Sequence, residues 1–260
     1  MDVPPFVDLA WLVARPHALL VEVRHDAPEP ATAPGVLDLD RDLAGPATPQ
    51  DGRHPLPTPE AFADVLTRAG VGDDDDVVVA HDEAGGVFAA RLVWMLRATG
   101  RAAALLDGGP APSRPVPRPR EAASARPWPA ELLAGLDEVT DPGLVVLDAR
   151  PRERYLGAPS PLDPRPGHLP GARSLPCRDN VGADGRLLPV EVLRERLHAA
   201  GADPGVPVVS TCGSGVTACH TLLVLEHVGA GPGRLYPGSW SQYAADPDRP
   251  VALGEDGTSG

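Results

Sequence analysis

The segment 210–220, Ser-Thr-Cys-Gly-Ser-Gly-Val-Thr-Ala-Cys-His, carries the densest chemistry in the chain. A β-branched run ends at Thr211, and an apolar helical pattern starts near Val216. Between them lie Cys212 and two glycines. Gly213 and Gly215 allow successive backbone N–H groups, together with those of Val216 and Thr217, to curl toward one point at a helix N-terminus. Such a nest holds anions, and it favours the thiolate of a cysteine at its base. Cys212 therefore reads as a nucleophile, with the Ser214 and Thr217 hydroxyls able to donate to the same centre. Nothing in this arrangement requires a metal or an organic cofactor. Cys219 lies inside the following helix and Cys177 follows Leu175-Pro176 in a loop, so both read as packing residues. The three cysteines contain no C-x-x-C zinc spacing and are too few for a disulfide framework. A cysteine phosphatase would carry C-x5-R, but Ala218 occupies the arginine position.

The elements that must position this loop recur. Residues 70–109 and 201–239 share one order: acidic or Gly-rich turn, short β-branched strand, Gly-containing loop, amphipathic helix, glycine, short strand, Gly turn. The pattern predicts strands over 77–80 and 206–210, followed by helices over 87–99 and 216–228. Further helices are expected over 60–69 and 190–200, each preceded by a proline suited to a first turn. Upstream, Leu19-Leu-Val-Glu-Val-Arg24 matches Leu144-Val-Val-Leu-Asp-Ala-Arg150 as a buried strand. Short apolar strands alternating with helices indicate parallel α/β units. Two similar α/β domains, 1–110 and 130–260, are expected on either side of a Pro-rich linker over 111–129. Laying Val78-Val79-Ala80-His81 on Val208-Val209-Ser210-Thr211 sets Asp82 opposite Cys212, so the first domain has no thiol there. The acidic run 73–76 reads as a solvated turn, since calcium needs spaced oxygen ligands.

Composition bounds the partners. The 260 residues carry 23 basic side chains, all arginine, against 36 acids, for a formal charge of −13. That balance argues against general binding of nucleic acid or anionic membrane, which need a basic field. A small anion could still be held by a local arginine pocket. The apolar stretch over 9–14 is too short for a signal core, so a reduced, cytoplasmic setting is expected.

Cys212-Gly-Ser-Gly-Val-Thr217 resembles the active-site loop of the rhodanese superfamily, in its two-domain mercaptopyruvate branch. Asp148-Ala-Arg150, Arg154-Tyr155, Gly167-His-Leu-Pro-Gly-Ala172 and Leu235-Tyr-Pro-Gly-Ser-Trp-Ser241 are similar to the family in the same order. So are Gly52-Arg-His-Pro-Leu-Pro57, Ala90-Arg-Leu-Val-Trp94 and Leu106-Asp-Gly-Gly109 in the first half. The resemblance implies two tandem rhodanese-like domains, each a mainly parallel sheet flanked by helices, with only the second one catalytic. It implies that Cys212 accepts sulfur and that Ser214, His54 and Asp40 form a proton relay, the last two drawn from the first domain. It also implies two arginines for a substrate carboxylate, with Arg154 as the first and Arg165 as the second. Gly213, Gly215, Val216 and Thr217 would line the same subsite. His168 and Trp240 are read as structural.

The implied activity is transfer of sulfur from 3-mercaptopyruvate, through a Cys212 persulfide, to a thiol such as a thioredoxin-like protein or to cyanide. Thiosulfate as donor is the nearest alternative. The neutral Gly213-Ser214 pair and the absence of lysine favour mercaptopyruvate over that dianion. A non-enzymatic sulfur-carrier or regulatory module is the alternative of another class.

Overall fold

In the computed structural model, residues 3–25, 35–73, 77–108, 111, 121–255 and 258–259 are described. Most of the Pro-rich stretch (112–120), residues 74–76 of the acidic run, residues 33–34 and Gly109 lie outside them. The chain divides into two compact units. One comprises residues 1–45, 56–129 and 181–187; the other comprises 46–55, 130–180 and 188–260. The boundary thus differs from a single cut at the linker, because two short segments are exchanged.

The first unit is built on β1 (Phe6–Val7), β2 (Leu19–Arg24), β3 (Val36–Asp38), β4 (Val78–His81) and β5 (Ala103–Leu106). They form a wholly parallel sheet in the order β1-β5-β4-β2-β3. Its helices are α1 (Leu9–Val13), α2 (Leu39–Asp42), α3 (Pro59–Ala69) and α4 (Ala89–Ala98). Helix α3 starts where the sequence places it: the Thr58 hydroxyl accepts from Ala61 N, Pro59 opens the first turn, and Gly70 ends it at φ 87°. Leu12, Leu20, Val79 and Ala104 pack as one apolar cluster. Each large aliphatic side chain so buried contributes about 1.5–3 kcal/mol.

The second unit repeats the plan with β6 (Val145–Asp148), β7 (Arg173–Ser174), β8 (Val208–Thr211) and β9 (Arg234–Leu235), parallel in the order β7-β6-β8-β9. Around it lie α5 (Arg152–Leu156), α6 (Val190–Ala199), α7 (Ala218–His227) and α8 (Ser239–Tyr243), with a β10 (Ala252–Leu253) and β11 (Thr258–Ser259) hairpin at the end. Val146, Tyr155, Leu169, Val209, Tyr236, Trp240 and Tyr243 are buried together. Strands β6 and β8 lie side by side at the sheet centre with Asp148 opposite Thr211, and the direction of chain progression reverses between them. Loops leaving the carboxyl ends of such a strand pair form the usual ligand crevice of an open α/β sheet. The Cys212 loop and the Arg150 loop are the two that leave here.

Helices α4 and α7 each begin two residues later than the apolar pattern suggests, at Ala89 and Ala218. The missing residues close the turn around Asp82 in one unit and Cys212 in the other. No helix among the described residues is long and apolar enough to cross a membrane.

Candidate active site

Cys212 is the first residue past β8 and is 2% exposed. Its Sγ accepts the backbone N–H of Gly215 at 3.1 Å and of Ser214 at 3.4 Å. The sulfur thus meets two amides of the loop, those of Ser214 and Gly215. The loop permits this because Gly215 holds φ +78°, and a β-carbon there would fall 2.6 Å from the Pro237 carbonyl. Three residues of α8 brace the backbone. Ser239, itself at φ 51°, accepts from Cys212 N at 3.2 Å; Trp240 N donates to the Cys212 carbonyl and Ser241 N to the Gly213 carbonyl. A non-glycine residue at positive φ is strained, and here the strain holds the nucleophile's own amide.

Ser214 is buried and its Oγ lies 2.7 Å from His54 Nδ1. His54 is expected from the first domain, yet residues 46–55 belong to the second compact unit. Its neighbours anchor that excursion: Arg53 N donates to Ser241 Oγ at 2.9 Å, Gln242 Nε2 donates to the Gln50 carbonyl, and Gly52 turns at φ +88° against Gly238. Asp40 lies in the first unit, on α2, with Oδ2 3.7 Å from His25 Nε2.

Arg154, on α5, stands beside Gly213. A methyl group added at Gly213 would be 3.2 Å from Arg154 Nη2 and 3.1 Å from Arg53 Nη2. Two guanidiniums therefore converge one residue past the nucleophile. Arg165 is differently committed. It donates to the carbonyls of Ala244 (3.0 Å), Pro247 (3.2 Å), Arg249 (3.1 Å) and Asp246 (2.6 Å), clamping the turn after α8. The second arginine beside Gly213 is Arg53, inside the Gly-Arg-His-Pro motif, where the histidine draws the attention.

Arg150 is 1% exposed and forms a forked pair with Asp148, Nη2 to Oδ2 at 2.6 Å and Nε to both oxygens at 3.0 Å. Its guanidinium also lies 4.9 Å from the Trp240 ring. Burial alone would lower its pKa, but Asp148, Asp163 and the Cys212 charge raise it, so it stays a cation beneath the site.

Cys177 is buried, and its thiol is pushed up to about 12, chiefly by burial and then by the charge of Cys212; the Thr217 hydroxyl bonds to it. Cys219 Sγ donates to the Gly215 carbonyl at 3.3 Å within the first turn of α7. Val216 is buried. His168 is stacked on Tyr155 at 3.7 Å and bonded through Nδ1 to the Tyr155 carbonyl, a packing role. Among the described residues no cluster of three His, Cys, Asp or Glu side chains could hold a metal ion.

A rhodanese-like domain is recognised over residues 129–246. The chain is 39% identical to a probable 3-mercaptopyruvate sulfurtransferase of Pseudomonas aeruginosa, over 95% of this chain and 96% of the relative. The chain belongs to the rhodanese superfamily, and it is a sulfurtransferase. Human 3-mercaptopyruvate sulfurtransferase is 34% identical across 81% of this chain and 76% of its own length. Among solved structures, the 3-mercaptopyruvate sulfurtransferase from Leishmania major matches with a TM-score of 0.79 at 26% identity, over 94% of this chain and 75% of that one. SseA from Escherichia coli matches with a TM-score of 0.72 at 26% identity, covering 92% and 99%. A putative thiosulfate sulfurtransferase of Mycobacterium tuberculosis is 32% identical over 97% of this chain and 92% of its own length. Relatives named for either donor thus match the chain over most of its length.

Proposed function

We propose that this sulfurtransferase takes sulfur from 3-mercaptopyruvate, carries it as a Cys212 persulfide, and passes it to a thiol or to cyanide. The observation that supports mercaptopyruvate is the pair of guanidiniums, Arg53 and Arg154, set beside Gly213 rather than on the Cys212 sulfur. They grip a carboxylate while leaving the donor sulfur free to approach the nest. The loop itself carries no cation at Gly213-Ser214 with which to neutralise thiosulfate at the sulfur.

In this reading the Cys212 thiolate attacks the donor sulfur. A new S–S bond forms, the donor C–S bond breaks, and its electrons leave on the pyruvate enolate. The enolate takes a proton through Ser214, whose Oγ is hydrogen-bonded to His54. The amides of Ser214 and Gly215 then hold the anionic persulfide. An acceptor thiolate attacks the outer sulfur and regenerates Cys212, which makes the kinetics ping-pong.

The test is kcat/KM for both donors with one acceptor thiol. Mercaptopyruvate should exceed thiosulfate by at least about tenfold, one good charged contact's worth of discrimination. Equal or inverted values would contradict the assignment of donor.

A further inference from the structure

We propose that Asp163 is a positioning residue that biases the donor pocket against dianions by lowering its positive charge. This rests on the reading of Arg53 and Arg154 as the arms that hold the donor. Asp163 sits in the loop between α5 and β7, and its side chain is only 3% exposed. Its carboxylate accepts Arg154 Nε at 2.9 Å and Nη2 at 2.5 Å, a fork that fixes the guanidinium plane. The carbonyl of Leu162, one residue earlier, accepts from Arg53 Nη1. One short stretch of chain therefore holds both arginines. It is held in turn, since Leu162 N donates to Ser160 Oγ, Asp163 N donates to the Ser160 carbonyl, and the Arg165 guanidinium anchors the far end.

The charge balance follows from these contacts. Arg53 and Arg154 bring two positive charges to the face of Gly213. Arg150 is matched by Asp148, and its Nη1 is 3.7 Å from Asp163. Asp163 lowers the positive charge of the pocket by one, through its fork on Arg154. That weighs against a dianion more than against a donor with one carboxylate. Neutralising position 163 would add one positive charge to the pocket and favour the dianion, whereas loss of loop geometry alone would penalise both donors together.

The experiment compares the wild-type chain with Asp163→Asn and Asp163→Glu, using 3-mercaptopyruvate and thiosulfate as donors at low and high salt. Circular dichroism and thermal melting serve as controls for folding. In Asp163→Asn the ratio of thiosulfate to mercaptopyruvate kcat/KM should rise about tenfold or more, and the rise should shrink at high salt. In Asp163→Glu, which keeps the charge, the ratio should stay within about twofold of wild type. A folded Asp163→Asn whose two donors decline in parallel would overturn the proposal, as would an equal rise in Asp163→Glu. Should Asp163→Asn not fold, Asp163→Ser, which also removes the charge, is compared in the same way, and a parallel decline of both donors in it would overturn the proposal. A wild-type preference for thiosulfate would contradict the donor assignment alone, because the shift between variants is measured separately.

Discussion

At the scale of the residue, reactivity and position divide the three thiols. Cys212 has amide donors at 3.1 and 3.4 Å, while Cys177 has a thiol pushed up to about 12 by burial. Iodoacetamide on the native chain near neutral pH should therefore label one cysteine, Cys212, and all three only after unfolding. Peptide mapping that found Cys177 labelled first would contradict this. The arginines make a second prediction. If the proposed carboxylate contact exists in ground and transition states, Arg154→Gln and Arg53→Gln should each raise KM for mercaptopyruvate about 10- to 100-fold, with a smaller change in kcat. That Cys212, Ser214, His54 and Arg154 lie close to one loop was legible, because each stands in a motif. Arg165 had the right type and place in the sequence. The carbonyls that occupy its guanidinium lie 79 to 84 residues away, and no spacing rule reveals them.

At the scale of the element, the two strand-loop-helix units share one backbone device with different tenants. Where the second unit wraps Cys212, the first wraps the Asp82 carboxylate with four amides, those of Ala84, Gly86, Phe88 and Ala89, at 2.7–2.8 Å. Setting the repeats side by side foresaw the substitution. It could not show that the aspartate fills the nest itself. Asp82→Ala strands those donors and should lower stability by about 1–3 kcal/mol in chemical denaturation. Gly215→Ala should act on chemistry as well. Its β-carbon would meet the Pro237 carbonyl at 2.6 Å, so the Gly215 amide must turn away from the sulfur. Turnover should fall at least about 100-fold, the scale seen when an anion-stabilising donor is removed. The late starts of α4 and α7 escaped the sequence for the same reason. An apolar period continues through the loop, but Phe88 N and Ala89 N donate to the Asp82 carboxylate in the first unit, and in the second the loop before Val216 gives its Ser214 and Gly215 amides to Cys212 Sγ.

At the scale of the whole molecule, the parallel sheets followed from alternating short strands and helices. The exchange of residues 46–55 and 181–187 between the compact units did not. Nothing in the composition of those segments sets them apart, and their placement rests on backbone contacts such as Arg53 N to Ser241 Oγ. A chain at −13 repels anions at long range, so long-range steering does not favour an anionic donor. Acid should weaken the fold through its buried histidines. Burial holds His168 below its ordinary 6.5, partly offset by its bond to the Tyr155 carbonyl, and His81 in the first unit is likewise lowered by burial. As pH falls below about 6.5, the unfolded chain takes up protons that the native chain refuses, so stability declines. The urea midpoint should therefore drop from about pH 7.5 to about pH 5.5, less steeply in His168→Gln. A midpoint flat across that range would contradict the account.

The central claim is that sulfur passes through Cys212. Intact mass spectrometry after brief exposure to 3-mercaptopyruvate without acceptor tests it most directly. The account predicts a one-sulfur adduct that maps to Cys212, appears with an equivalent of pyruvate, and disappears on adding a thiol. Pyruvate release with Cys212 unmodified, or an adduct that persists in Cys212→Ser, would contradict it.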